Sequence, residues 1–220
     1  MKPHLPTPVP RPLALSLRLI GARRAVFPAL AAIPGLVFAD LPTGGTVVGG
    51  AATIANVAAN HQQITQTTDR TIINWQTFSI DGASYVHFIQ PSSSSVVLNR
   101  VLGGSPSSIL GSLSANGQVF LVNPNGVYFG PGASIDVAGL VATTLEIGNS
   151  DFMAGRHVFT RPDGAPARAE VINQGVIAAR EGGYVVLAGD YAANSGVIQA
   201  RLGTVALAAG NKLTLDLAGD

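Results

Sequence analysis

Apolar residues in this chain come in short runs of Val, Ile, Leu and Ala, broken by Gly, Asn, Pro and Ser, and no stretch keeps the spacing of an amphipathic helix. Such runs between turn residues predict short β-strands. Ser94 to Leu98, Gln118 to Val122, Val127 to Phe129, Ile135 to Val137 and Leu140 to Thr143 qualify. From Val171 onward the pattern repeats. Asn173-Gln174-Gly175-Val176-Ile177 returns 21 residues later as Asn194-Ser195-Gly196-Val197-Ile198, and Gly183-Tyr184-Val185-Val186-Leu187-Ala188 returns 20 residues later as Gly203-Thr204-Val205-Ala206-Leu207-Ala208. A period of about twenty residues marks a solenoid.

Leucine-rich repeats share this period, but their spaced leucines are missing. The pattern predicts an all-β fold, a right-handed parallel β-helix whose coils stack ~4.8 Å apart. Alternating residues would point inward, Val185 and Leu207 among them, which suits small and β-branched side chains in a narrow interior. Asparagine at the turns tolerates left-handed backbone and can ladder onto asparagine of the next coil. A solenoid end is an open edge, so the Asn/Gln/Thr-rich stretch from Thr46 to Ile80 is expected to be an N-terminal capping β segment, with Trp75 and Phe78 as its apolar plug. Asp151 to Arg168 breaks the pattern with charge, Met153 and two prolines, and is expected to be an excursion from the helix. The chain stops at Leu217-Ala218-Gly219-Asp220, after another strand-like run from Leu213 to Leu217, and the natural protein is expected to continue beyond it.

Composition supports the same class. Of 220 residues, 47% are hydrophobic and only 11% charged, so one core can form without disulfides, and cysteine is absent. The first 39 residues change the picture of compartment. Lys2, Arg11, Arg18, Arg23 and Arg24 precede an apolar run from Ala25 to Ala39 that ends in Val37-Phe38-Ala39, the pattern of a signal peptide cleaved after Ala39. The run is shorter than the ~20 residues of a spanning helix and is interrupted by Pro28 and Pro34. Removing it takes away five of the 13 basic residues and no acidic one, leaving eight against 12, so the net charge moves from +1 to −4. A chain that loses its densest basic cluster on export is a poor partner for nucleic acid.

A secreted β-helical polysaccharide lyase or hydrolase is one alternative, and a direct host-glycan or protein-binding surface is another. Enzymes of that kind need acidic residues gathered on one face, to act on sugar or hold calcium. Here Asp136, Asp190 and Asp216 share no short-range motif, and His4, His61, His87 and His157 lack metal-ligand spacing. No phosphate loop or nucleophile elbow occurs. The residues therefore point away from an enzyme and imply no metal and no cofactor.

Four ordered segments carry a resemblance. They are Leu41-Pro42-Thr43-Gly44-Gly45-Thr46-Val47-Val48, Ile73-Asn74-Trp75-Gln76-Thr77-Phe78, the stretch from Gln90-Pro91-Ser92 to Leu98-Asn99-Arg100-Val101, and the stretch from Ala115-Asn116-Gly117 to Val127-Tyr128-Phe129-Gly130. Together they resemble the filamentous-haemagglutinin-type secretion domain of two-partner secretion systems, from the leader to about Phe152. The resemblance implies passage through the general secretory machinery and signal peptidase, then recognition by the periplasmic polypeptide-transport-associated domains of a cognate outer-membrane β-barrel transporter. Folding on emergence would place the product on or outside a Gram-negative cell. It divides the chain into a leader at 1–39, a secretion domain with its cap at 40–170, and the start of the exported protein's repetitive β-helix at 171–220. Host-cell receptors would be met by the region downstream, with adhesion as the default activity.

The family's signature tetrapeptide falls on Asn123, Pro124, Asn125 and Gly126; its companion Asn-Pro-Asn-Leu is absent, which sets the chain nearer the high-molecular-weight adhesin branch. Physically the tetrapeptide reads as a tight turn, with proline fixing one φ, asparagine side chains satisfying turn backbone, and glycine taking a conformation others avoid. A mainly structural role with an indirect effect on export is the preferred reading. Asn99 and Arg100 are read similarly, with Arg100 either touching the transporter or bracing a turn. Because nearest-neighbour stacking lets folding propagate, aspartate in place of Val185 or Leu207 is expected to slow secretion in proportion to the stability lost. Paired secretion yields and melting temperatures check this; export indifferent to both substitutions contradicts it.

Overall fold

A computed structural model describes residues 40–216; the expected leader and the terminal residues 217–220 lie outside the described residues. It is an all-β solenoid of about seven turns, in agreement with the fold read from the repeats. Each full coil runs through three faces, here called A, C and B in chain order. Face A stacks Arg70–Trp75, Val96–Val101, Gln118–Val122, the second half of Ser134–Thr143, the second half of Val176–Gly189, and Thr204–Ala209. Face B stacks His61–Gln66, Tyr85–Ile89, Ser112–Ala115, the first halves of the same two long strands, and Val197–Ala200. Face C is shorter, with Ser107–Ile109, Val127–Phe129, Glu170–Asn173 and Tyr191–Asn194. All these pairings are parallel.

Register follows the repeat. Asn173 pairs with Asn194, Val176 with Val197 and Tyr184 with Thr204, as the sequence periodicity requires. On face A, Arg70 pairs with Val96, Val96 with Gln118, Gln118 with Gly139, and Gly139 with Tyr184. The last step is long because the chain leaves the solenoid after Thr143 and returns at Glu170. The excursion thus starts earlier than Asp151. Its first residues bring Leu145 and Ile147 soon after the apolar run Leu140 to Ala142, with no glycine or proline between to mark the departure.

Two apolar clusters result. The interior holds Ile73, Trp75, Val97, Val119, Leu121, Leu140, Val185 and Leu187 along face A, all fully or nearly fully buried. The outer side of face A is also apolar and buried: Ile72, Leu98, Phe120, Val122, Val141 and Val186 lie beneath Leu145, Ile147, Phe152 and Phe159 of the excursion. This explains why face A strands such as Gln118–Val122 carry consecutive buried apolar residues, whereas His61–Gln66 on face B alternates between half-buried and buried residues. The excursion contains the five-residue helix Asn149–Met153 and the strand His157–Thr160, which pairs antiparallel with Glu146–Ile147 and with Lys212–Leu215. The strand-like run near Leu213 therefore folds back over face A instead of continuing a coil.

At the N-terminal end the pairing turns antiparallel, with Thr46–Gly49 on Arg70–Trp75 and Ala52–Ala58 on His61–Gln66. Val47, Ala52 and Ile54 pack onto the interior cluster, where Trp75 and Phe78 meet edge to face with centroids 5.4 Å apart. A Cβ on Gly45 would come within 2.6 Å of the Trp75 ring, so glycine is what allows the chain to cross the indole so closely. In the last described coil Val205 and Leu207, register partners of buried Val185 and Leu187, are 45% and 46% exposed. Truncating Phe120, which touches Phe152, His157 and Phe159, is expected to cost about 3–5 kcal/mol. Urea unfolding of Phe120→Ala measures this; a cost under about 1 kcal/mol would mean that the excursion does not seal face A.

Candidate functional site

The tetrapeptide Asn123 to Gly126 turns the chain from face A to face C, one coil below the point where the excursion leaves. The Gly126 amide donates to the Asn123 carbonyl at 3.0 Å, closing the turn. Asn123 is wholly buried. Its Nδ2 donates to the Ser105 carbonyl and to Ser107 Oγ, both at 3.0 Å, and its Oδ1 accepts the Asn125 amide at 3.0 Å. Asn125 reaches the same lower corner, donating to the Gly103 carbonyl at 2.9 Å. Gly126 has φ +121°, a conformation that side chains disfavour, and a Cβ there would press within 3.2 Å of the Glu170 carbonyl. The corner's side chains thus supply hydrogen bonds that the broken ladder leaves open, and fasten one coil to the coil beneath. Pro124 and Asn125 are its half-exposed residues, and Asn125 lines a groove of about 360 Å³ with Pro106, Tyr128, Arg168 and Glu170.

Asn99 and Arg100 are consecutive on face A and point opposite ways. Asn99 faces the interior, fully buried, and accepts the Trp75 indole N–H at 2.9 Å while donating to the Phe120 carbonyl at 3.3 Å. A tryptophan N–H in a core needs such an acceptor. Arg100 faces outward and donates to the Ile147 carbonyl at 2.6 Å and to Asn149 Oδ1 at 2.8 Å, so it holds down the start of the excursion. Burial pushes its pKa below the usual guanidinium value, and Glu146 partly offsets that. Neither residue bridges to the tetrapeptide through any observed hydrogen bond among the described residues, yet both serve the same end of holding coils and excursion in place.

Among the described residues the remaining titratable groups form no acid–base constellation. Asp190 accepts Arg161 at 3.1 Å and the backbone amides of Arg168 and Ala169, bracing the return of the excursion. Asp136 and Asp216 lie exposed, apart from it. The coil period does bring His61 and His87 to one outer face, on either side of Tyr85, with ring centroids 4.7 and 5.8 Å away. His87 Nδ1 lies 2.6 Å from Ser114 Oγ; burial and then His61 push its pKa below the usual histidine value, while Ser114 pulls it up. No group of three or more His, Asp or Glu placed to hold a metal occurs among the described residues.

Comparison with known proteins identifies the family of this solenoid. Residues 39–219 match the family model of the TPS secretion domain. The chain belongs to that family. The secretion domain is 43% identical over 184 residues to the heme/hemopexin-binding protein of Haemophilus influenzae, covering 81% of this chain but 20% of that protein. It also matches the crystal structure of the HMW1 secretion domain from Haemophilus influenzae with a TM-score of 0.75 and 40% identity, over 79% of this chain and 46% of that one. The chain therefore spans about a fifth of the curated relative's length. TPS secretion domains target large exported proteins for secretion, and their carriers are secreted or surface-exposed products of Gram-negative bacteria.

Sequence reasoning singled out the Asn corners but not the glutamine network of the opposite corner. Gln90 Oε1 accepts the Gly117 amide at 3.0 Å, and its Nε2 donates to Gln66 Oε1 at 3.1 Å and to the Ser95 carbonyl at 3.0 Å. Asn116 pairs with the Gln90 backbone in both directions at 2.7 Å, as a strand would. Only coil stacking brings these residues together. Removing the Asn123 side chain leaves buried partners unsatisfied and is expected to cost roughly 2–4 kcal/mol, against about 1 kcal/mol for Asn125→Ala. Urea titrations of the two variants check the order; equal and small effects contradict a structural corner.

Proposed function

We propose that residues 40–216 are the export address of a larger surface protein, recognised by the periplasmic domains of a cognate outer-membrane transporter and folding as a β-helix on emergence. The family match over residues 39–219 carries this reading. The leader would deliver the chain to the general secretory machinery and signal peptidase. Adhesion, haem acquisition or receptor binding would belong to sequence beyond this domain, as the small share of the curated relative that the chain covers suggests.

The burial of Asn123 and Asn99 supports a structural role for these motif residues in the domain once it has folded. Asn123, Pro124, Asn125 and Gly126 would then affect export by setting coil geometry, and Asn99 and Arg100 by anchoring Trp75 and the excursion. The outer membrane offers no ATP, so folding outside can bias the passage. Net stability of roughly 0.05–0.15 kcal/mol per residue gives on the order of 1–3 kcal/mol for a coil of about twenty residues. Successive coils would oppose backsliding, and the excursion would remain half-covered until Lys212–Leu215 arrives.

Expression of residues 1–220 with and without the neighbouring transporter tests the proposal. The domain is expected outside the cell only when the transporter is present. Release that ignores the transporter contradicts it.

A further inference from the structure

The antiparallel junction that holds the excursion closed begins at His157, whose register partner is Leu215. His157 is 8% exposed, and its Nε2 is buried with no hydrogen-bond partner. The ring stands edge-on to Phe120, centroids 5.3 Å apart, within the apolar layer between face A and the excursion. One side of it lines a cavity of about 240 Å³ shared with Arg70, Ser94, Gln118 and Asp216. Arg70, from the first strand of face A, donates to the Phe152 carbonyl at 3.3 Å and lies against the Phe152 ring. Asp216, just past Lys212–Leu215, brings the one carboxylate lining that cavity. Tyr184 is held by its own hydrogen bond to Gln118 Oε1 at 2.6 Å.

A neutral imidazole tolerates this setting, since only one lone pair goes unmatched. A protonated one places a second cation beside Arg70 and against the apolar layer, a cost that only the Asp216 carboxylate lining the same cavity offsets. We propose that His157 is a proton-operated latch: its protonation opens the junction between His157–Thr160 and Lys212–Leu215 and lifts the excursion from face A, while the solenoid stays folded. The asymmetry comes from the fold. Face A strands are clamped by parallel neighbours, whereas the latch rests on a four-residue pairing.

Burial, and then Arg70, push the His157 pKa below its usual value. The closed junction therefore binds fewer protons than the open one. Its stability is complete above about pH 6.5 and falls as pH drops toward the lowered pKa, by up to about tenfold in the opening equilibrium per pH unit.

Hydrogen exchange of the full chain, corrected for intrinsic rates, tests this between roughly pH 7.5 and 5. The quantity read is protection of residues 157–160 and 212–215 relative to 118–122. In the wild type this ratio should fall on acidification, by up to about tenfold per pH unit, and in His157→Gln it should stay flat. Arg70→Gln, which removes the neighbouring cation, should narrow the fall and serves if the His157 variant does not fold. A ratio independent of pH in the wild type, an unchanged fall in His157→Gln, or an unchanged fall in Arg70→Gln overturns the latch.

Discussion

Each coil of a parallel β-helix must turn three corners while its strands stay in register, and wherever the ladder is interrupted at a corner, backbone groups lose their partners. The rest of this structure depends on how those groups are satisfied. Amide side chains do much of it. Asn123 ties its corner to Ser105 and Ser107 below, Asn173 accepts the Gly175 amide and donates to Asn194 above, and Gln90 serves the corner at Gly117. Because these side chains are buried, each lost bond leaves a desolvated partner, which makes corners more sensitive to substitution than their polar composition suggests.

The second constraint is the double burial of face A. A sheet with apolar side chains on both surfaces needs a cover, and the excursion between Thr143 and Glu170 provides it, fastened by Arg100 at its start and by Lys212–Leu215 over its strand. Charge and packing cooperate here: the two cationic side chains on the outer edge of face A, Arg70 and Arg100, both donate to excursion carbonyls. The cover joins residues far apart in the chain, His157–Thr160 with Lys212–Leu215, whereas coil stacking joins neighbouring coils.

Much of the fold was legible because solenoids write their period into the sequence. The offsets at Asn173 and Tyr184 gave the register directly, and Trp75 and Phe78 were recognisable as buried aromatics near an open end. The excursion's beginning was not, since Leu145 and Ile147 are as apolar as the strand they follow. The destination of the run at Leu213 was equally hidden, because antiparallel pairing with His157–Thr160 depends on where the excursion lies in space. For the motif, residue types pointed to a turn, but whether a corner residue faces in or out depends on stacking. Asn99 and Arg100 show the point, adjacent in sequence yet one inside the core and the other against the excursion.

The central claim is that the motif residues act on export through the stability of the β-helix. The most direct measurement is secretion yield plotted against unfolding free energy for two sets of variants, one at Asn99, Asn123 and Asn125 and one at plain core positions such as Leu121 and Val141. The account predicts that both sets fall on one line. Motif variants lying well below the line of the core variants, at equal stability, would contradict it and make these asparagines part of a surface that the export machinery reads.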